Sequence, residues 1–249
     1  MTGPAELPSF QRLELEADGS GVLVCTLHTD GSSLVWDHTV RRELIELLTW
    51  CRDDGGLRCL VLTGAGTSFC EEIDLASFGL GGTGSWAETV KWGQRLLEQL
   101  LAVEVPVIAA VNGPARLHTE LVFLADIVLA TPDTVFEDSP HFAADVVPGD
   151  GVLVAWSQAF GPMRARHLLL TGTPLTAAEA HQVGAVAELC ERTDLLPRAR
   201  ALAADLATRS PLTLRYTKSL MTAGVRRGLA HDLTAGLATE ALAAMLNAR

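Results

Sequence analysis

The chain has 249 residues, of which 48% are hydrophobic and 20% are charged, and its formal net charge is −11. A chain of this length and composition is expected to fold around one sizeable core. The negative charge disfavours nucleic acid as a partner, because the phosphates would be repelled. It also counts against an anionic coenzyme A ligand, unless local charge overrides the net value.

Membrane, export and metal signals are absent from the sequence. No apolar run reaches the roughly 18 residues that a membrane span needs, and the N-terminus lacks the basic and apolar regions of a signal peptide. The five cysteines are odd in number and scattered, which is typical of free thiols in a reducing compartment. We therefore expect a cytoplasmic protein with no membrane partner. Neither a CxxC pair nor an HExxH motif is present, and we expect no metal or other cofactor.

The first half of the chain alternates predicted strands and helices. Val-rich and Leu-rich runs predict strands, and apolar residues at helical spacing predict helices. In chain order these are a strand over 21–28, a helix over 37–51 capped by Asp37 or Thr39, strands over 58–63 and 106–112, a helix over about 115–125, and a strand over 127–130. Strands separated by helices indicate βα units with right-handed crossovers.

The second half is predicted to be mainly helical, with Ala and Leu dominant from Thr176 onward. The Gly-rich stretch 79–84 is predicted to be a mobile loop, a candidate flap over a site. No repeat, linker or domain boundary is evident. We therefore expect a single domain spanning residues 1–249.

The segment 140–151 carries the strongest chemical signal. It places His141 and Asp150 at the two ends of one loop that leads into an apolar helix. An imidazole oriented by a carboxylate is a common general base near neutral pH. Asp is also a frequent helix N-cap, so Asp150 could cap the helix, orient His141, or do both.

The motifs resemble those of the crotonase (enoyl-CoA hydratase/isomerase) superfamily. The matching stretches are LTGAG at 62–66, FCEEIDL at 69–75, PVIAAVNG at 106–113, ADIVLA at 125–130 and LLTG at 169–172. The resemblance implies an α/β crotonase fold, a ββα spiral over about 1–190 followed by C-terminal trimerisation helices over about 191–249. It also implies a homotrimer or a hexamer built as a dimer of trimers.

Two departures from the common pattern concern the oxyanion hole that a CoA-processing member uses for its thioester. Glu71 and Glu72 stand where that pattern has Ala and Gly, and the later Gly run is replaced by the segment 113–118. Small residues are needed where a substrate lies against backbone N–H groups. The thioester site is therefore predicted to be lost or rebuilt.

Four further motifs resemble those of the 6-oxocamphor hydrolases and β-diketone hydrolases, a CoA-independent group within the superfamily: EID at 72–74, PHF at 140–142, VPGDG at 147–151 and GLATEALAA at 236–244. That resemblance implies catalytic roles for His141, Asp150, His118 and Glu240, and a substrate-binding role for Trp36. Glu71 and Phe142 are further candidates for the substrate-binding surface.

Each candidate also has a structural interpretation. His118 lies in an apolar segment and could be a buried core histidine, and Trp36 could simply fill the core. Glu240 shares a helical face with Leu233 and Leu237, and a carboxylate on an apolar stripe is unfavourable unless it is paired or faces a pocket. Glu120 could form a helix ion pair, whereas Asp74 and Asp126 are expected to be structural.

The predicted function is cofactor-independent hydrolysis of a C–C bond in a cyclic 1,3-diketone. In this hypothesis His141, oriented by Asp150, activates the water, and Trp36 or His118 supports the oxyanion. The alternatives are a hydratase or isomerase acting on a CoA thioester, another cofactor-free C–C reaction on a polyketide-like diketone, and a non-enzymatic subunit that kept the fold.

Overall fold

The computed structural model describes residues 6–78, 83–139, 141 and 145–247. The strands are β1 (Leu13–Ala17), β2 (Val22–Leu27), β3 (Val35–Trp36), β4 (Cys59–Gly64), β5 (Glu72–Ile73), β6 (Val107–Val111), β7 (Ile127–Ala130), β8 (Val135–Phe136), β9 (Leu175–Thr176) and β10 (Glu188–Leu189). The helices are α1 (His38–Asp53), α2 (Thr83–Ala102), α3 (Glu120–Phe123), α4 (Val152–Phe160), α5 (Pro162–Thr171), α6 (Ala177–Gln182), α7 (Arg192–Ala207) and α8 (Pro211–Asn247). A 3₁₀ turn covers Leu75–Phe78.

A six-stranded sheet with the order β1-β2-β4-β6-β7-β10 forms the centre of the fold. Strands β1 and β2 pair antiparallel, and the other neighbours pair parallel. Successive residues of β2 serve two cores, because side chains alternate across a strand. Val22 and Val24 pack on one face, while Leu23 and Cys25 pack on the other. This parallel-dominated sheet followed by a long C-terminal helix is the crotonase fold expected from the sequence.

The C-terminal region contains two helices with different partners. Helix α7 covers one face of the sheet, where Leu195, Ala199 and Ala203 are buried against Val61 and Ile108. It therefore completes a core layer within this chain, and its predicted part in trimerisation stays a prediction. Helix α8 packs instead on α2 and α4.

Helix α8 is tied to the sheet by a buried ion pair. Lys218 Nζ lies 2.8 Å from Asp126 Oδ2 and also donates to the carbonyl of Val105. Asp126 accepts a further hydrogen bond from the N–H of Val107, which gives it the structural role expected for it. Large apolar side chains remain exposed on α8, including Tyr216 and Leu220. The trimer stays a prediction.

The helix predicted over 115–125 is shorter than expected. Ala115 is in an extended segment that bridges Cys70 and Phe136, and α3 begins only at Glu120. The N–H groups before Glu120 pair with other segments of the chain instead. That of Ala115, for example, donates to the carbonyl of Val135. Pairing with neighbouring chain segments therefore overrides the helical pattern of this segment.

Other local expectations are resolved by the structure. Asp37 caps α1 by accepting a hydrogen bond from the N–H of Val40, so Thr39 is not the cap. All five cysteines are free. The Gly-rich stretch 79–84, predicted to be a mobile loop, falls mostly outside the described residues. Within the described part of the chain, no helix is long and apolar enough to cross a bilayer.

Candidate active site

One cavity of about 350 Å³ brings five of the candidate residues together. Trp36, His118, His141, Asp150 and Glu240 all contribute to its wall, although they are spread over 205 positions of sequence. Apolar residues complete the lining, among them Ile73, Leu75, Phe78, Leu96 and Leu237. A mostly apolar cavity with a few convergent polar groups is the usual form of a small-molecule site.

Close backbone packing positions the loop before α4 against α8. A Cβ on Gly149 would lie 2.1 Å from the carbonyl oxygen of Gly236, so only glycine permits this approach. Gly151 has a φ of +101°, which disfavours any residue with a side chain. Glu240 lies about one turn beyond Gly236 on α8. The Gly149–Gly236 contact therefore brings Glu240 next to the loop that carries His141 and Asp150.

His141 is buried among three carboxyl groups. Its Nδ1 lies 2.6 Å from Asp138 Oδ1 in a hydrogen bond, whereas Nε2 lies 3.7 Å from Asp150 and 3.9 Å from Glu240. Asp138 therefore orients the ring, and the assignment of that role to Asp150 from the sequence was wrong. Asp150 faces the opposite nitrogen at a separation that a bridging water can span.

The carboxyl groups set the charge of His141. Burial alone lowers the pKa of a histidine, but Asp150, the hydrogen bond to Asp138, and Glu240 together outweigh it and raise the pKa to about 10. His141 is therefore an imidazolium at neutral pH in the unliganded site. In this state the ring has a proton to donate, whereas the base role expected from the sequence requires the neutral ring.

Asp150 has two contacts of different kinds. Its Oδ1 accepts a hydrogen bond from the N–H of Val152 at 3.3 Å, in the first turn of α4. Its Oδ2 faces His141 and also lies 4.0 Å from His118 Nδ1. The carboxyl group thus supports the helix start and contributes charge between the two histidines.

His118 has a strained backbone conformation and faces the same Asp150 oxygen as His141 does. Its φ of +50° is uncommon for a residue other than glycine. The ring stacks on Trp36 with centroids 3.9 Å apart, and Nδ1 lies 2.7 Å from Glu120 Oε1. Backbone strain of this kind persists only where the surroundings enforce it, and it concentrates at functional sites.

His118 and Glu120 are both shifted toward their neutral forms. Burial lowers the pKa of His118 to about 4, and the effect of Asp150 only partly opposes it. Burial also raises the pKa of Glu120 well above its usual range, and nearby Asp150 adds to the shift. A neutral Glu120 can donate to Nδ1 of His118, which leaves the ring proton on Nε2.

Glu240 is a buried carboxyl group with spare acceptor capacity. Among the residues that the structure describes, none hydrogen bonds to its Oε2. Burial raises its pKa to about 8, with Asp150 adding to the shift and His141 opposing it. Such a pKa is close to working pH, as general acid–base catalysis favours.

Trp36 is 1% exposed and lies at the end of β3. No described residue accepts a hydrogen bond from its indole N–H. It therefore combines core packing, through its stack on His118, with a donor that a ligand carbonyl could use.

Two sequence candidates do not take part in the described cavity. Glu71 is exposed and forms an ion pair with Arg116 at 3.1 Å, outside the lining. Its neighbour Glu72 pairs with Val35 of β3 and is also outside the lining, whereas the next residue, Ile73, lines the cavity. Phe142 lies outside the described residues.

The backbone donors at the replaced Gly run are already occupied. The N–H groups of Arg116 and Leu117 both donate to the carbonyl oxygen of Cys70, at 2.8 and 3.3 Å. They are therefore unavailable to a thioester oxygen. This arrangement fits the expectation that the thioester site is lost or rebuilt.

Within the described part of the chain, three residues of the cavity lie close enough together to hold a metal ion. One ligand atom each from His118, Glu120 and Asp150 lie within 4.8 Å of one another. A cation there would have to displace the 2.7 Å hydrogen bond between His118 and Glu120. Metal-free chemistry remains a prediction.

Sequence reasoning missed two residues of this region. Asp138 lies three positions before His141, within reach across a tight turn, and that spacing was the available signal. Arg41 also lines the cavity. Arg41 could have been found from the sequence because it is a charged residue at a buried position of an amphipathic helix, as Glu240 is.

Comparisons with known proteins agree with the fold. Residues 18–241 match the family Enoyl-CoA hydratase/isomerase. A β-diketone hydrolase from the cyanobacterium Anabaena sp. PCC 7120, bound to (S)-3-oxocyclohexyl acetic acid, is 37% identical with a TM-score of 0.95, covering 98% of this chain and 100% of that one.

Relatives with CoA-related names are also similar. YngF of Bacillus subtilis, named for the enoyl-CoA hydratase/isomerases, is 33% identical over 201 residues, 80% of this chain and 75% of its own. A carnitinyl-CoA dehydratase of Proteus mirabilis is 30% identical over 222 residues, 84% of this chain and 80% of its own. The chain therefore belongs to the enoyl-CoA hydratase/isomerase family, that is, to the crotonase superfamily.

Proposed function

We propose that this enzyme hydrolyses a C–C bond of a cyclic 1,3-diketone without CoA. The observation that carries the proposal is one cavity that holds two histidines and, 3.9 Å from His141, a carboxyl group with an unused oxygen. Burial and neighbouring charges shift the pKa values of the two histidines in opposite directions. Environments that push pKa values apart in this way separate acid from base roles. The likeness to a β-diketone hydrolase over nearly the whole chain adds independent support.

In the proposed reaction a water lies between His141 Nε2 and Glu240, whose nearest atoms are 3.9 Å apart. Glu240 takes a proton from the water, and the resulting hydroxide forms a bond to one ketone carbon. The carbonyl electrons move to the oxygen and form an oxyanion. The N–H of Trp36 and Nε2–H of His118 are the donors that would stabilise it.

Collapse of this intermediate breaks the bond between the attacked carbon and the carbon that lies between the carbonyls. The electron pair passes into the second carbonyl as an enolate, so that no external electron acceptor is needed. Imidazolium His141 then protonates the enolate carbon, and the proton on Glu240 returns to His141. The net change is the addition of water across the C–C bond, which yields a keto acid.

Hydration of a CoA thioester is the second candidate, because relatives carry CoA-related names. The occupied N–H groups of Arg116 and Leu117 argue against it. Moreover, His141 cannot act as the second glutamate of a paired-carboxylate hydratase.

The two candidates are separated by supplying both substrates to the purified protein. Loss of a bicyclic 1,3-diketone and loss of crotonyl-CoA would be followed in parallel, with and without EDTA. We expect diketone turnover that survives EDTA and no hydration of crotonyl-CoA. Hydration of crotonyl-CoA with no diketone turnover would overturn the proposal, and loss of activity in EDTA would overturn its metal-free mechanism.

A further inference from the structure

Arg41 is a cation in the wall of the cavity that the proposed reaction does not use. It lies in the first turns of α1 and is 5% exposed. Its side chain lines the same cavity as Trp36 and His118. Burial lowers the pKa of Arg41 to about 10, with Glu88 partly opposing the shift, so the guanidinium is still charged at neutral pH.

The guanidinium has no anionic partner in the described part of the chain. No described carboxylate forms an ion pair with it, and its Nε is buried without an acceptor. Glu88 instead accepts a hydrogen bond from the indole of Trp92 and pairs with Lys91. A buried charge without a partner is strongly unfavourable, so its presence points to a ligand that supplies the partner.

The contact that orients Arg41 is aromatic. Its Cζ lies 4.8 Å from the ring centroid of Phe78, which also lines the cavity. An aromatic face attracts the guanidinium but leaves its N–H groups free to donate. The planar group can therefore bind a carboxylate through two parallel hydrogen bonds.

The other charges of the cavity decide where an anion could sit. Glu120, Asp150 and Glu240 contribute carboxyl groups to the same wall, where they lie beside the two histidines. The charge of His141 is already surrounded by three such groups. Arg41, by contrast, forms no ion pair with a described carboxylate. An anionic ligand that enters the cavity could therefore bind to it.

We propose that Arg41 is a carboxylate subsite that binds the keto acid formed by ring opening of a cyclic 1,3-diketone. The inference rests on the proposed function and deepens it. Cleavage within a ring keeps the new carboxylate and the remaining ketone in one molecule, which stays in the cavity. The substrate is neutral and the product is anionic, so Arg41 discriminates between them.

Binding of inert ligands tests the subsite without turnover. Calorimetry would compare cyclohexaneacetate with cyclohexaneacetamide, which has nearly the same shape but no charge. We expect the wild-type protein to prefer the carboxylate. Arg41→Met is expected to weaken carboxylate binding by roughly 10–100-fold, the size of a charge-assisted interaction, and to leave amide binding nearly unchanged.

Two further variants make the test specific. Arg41→Lys keeps the cation and is expected to restore part of the preference. Arg42→Met removes the neighbouring exposed cation of α1 and is expected to bind like the wild type, which controls for net charge. A wild-type protein with no preference for the carboxylate overturns the proposal even if Arg41→Met fails to fold. An unchanged preference in folded Arg41→Met overturns it as well.

The result is independent of whether diketones are cleaved. If the diketone is untouched but carboxylate binding depends on Arg41, the subsite stands and the proposed function fails. If the diketone is cleaved and Arg41→Met binds the carboxylate normally, the proposed function stands and the subsite fails. Where turnover occurs, Arg41→Met should raise the inhibition constant of the keto acid more than it raises KM for the diketone.

Discussion

His118 and His141 line the same cavity, and both have carboxyl groups close by, yet their proton affinities are opposite. The pKa of His118 falls to about 4 and that of His141 rises to about 10. Both rings are largely removed from water, so burial alone does not explain the difference. What differs is the charge of the partner that is nearest to each ring.

The close partner of His118 is Glu120, whose own burial raises its pKa and favours the neutral acid. A neutral carboxyl group offers a hydrogen bond but little attraction for an imidazolium. His141 has Asp138 in direct contact and Asp150 and Glu240 on its far side. The comparison teaches that counting acidic neighbours is insufficient, because a buried carboxyl group supports a cation only while it is ionised.

The strongest test of this division replaces His141. His141→Gln keeps a polar side chain of similar reach but removes the proton donor. We expect kcat for diketone cleavage to fall by roughly 10³–10⁴-fold with a nearly unchanged melting curve, since proton transfer supplies effects of this order. Full activity in a folded His141→Gln protein would show that the enolate is protonated by another group.

A smaller loss is expected from Glu240→Gln, about 10²-fold in kcat. If Glu240 is the base and His141 the acid, kcat/KM should rise with pH through about 8 and fall through about 10. The variant should lose the rise near pH 8 and keep the fall near pH 10. Retention of the rise would move the base role elsewhere, Asp150 being the nearest carboxylate to His141 Nε2.

The sequence predicted the membership of this site well because the resemblance carried whole motifs. It placed Trp36, His118, His141 and Glu240 correctly around one cavity. It failed on the pairing within the cluster, because the choice between Asp138 and Asp150 depends on ring orientation. The three-residue spacing makes Asp138 a possible partner of His141, but it does not fix the orientation of the ring.

The fold shows the same limit. Buried strands such as 106–112 and 127–130 were predictable, since their apolar runs are bounded by turn residues. The stretch 115–119 was predicted as helix from its composition. In the structure it is not helical, because the N–H groups of 115–117 donate to the carbonyls of Val135 and Cys70. Such long-range partners are not encoded in a local pattern.

Asp138→Asn sharpens the comparison without removing a histidine. The amide can still bond to Nδ1 but carries no charge, so His141 would lose its direct anionic partner. The pKa of His141 should fall by about 1–2 units, the equivalent of one charge-assisted hydrogen bond. The descending limb of the kcat/KM profile should move to lower pH accordingly. Asp150→Asn is the matched comparison, and an equal shift in both variants would mean that contact with Nδ1 is not decisive.

The smallest expected effect concerns stability and isolates His118. Because its folded-state pKa is about 4 and its unfolded value is near 6.5, the unfolded chain binds a proton first as pH falls. The stability that His118 contributes is therefore present above about pH 6.5 and is lost as the pH falls toward 4. His118→Gln should remove this contribution and reduce the drop in Tm between pH 7 and pH 5 by about 4–7 °C.

His141 provides the opposite control for that measurement. Its pKa is raised, so its contribution is present below about pH 6.5 and is lost as the pH rises toward 10. His141→Gln should therefore change the alkaline side of the Tm profile and leave the drop between pH 7 and pH 5 largely as in the wild type. If both variants alter the same side of the profile, the two histidines do not differ in protonation. The separation of acid and oxyanion-donor roles between them would then have no electrostatic basis.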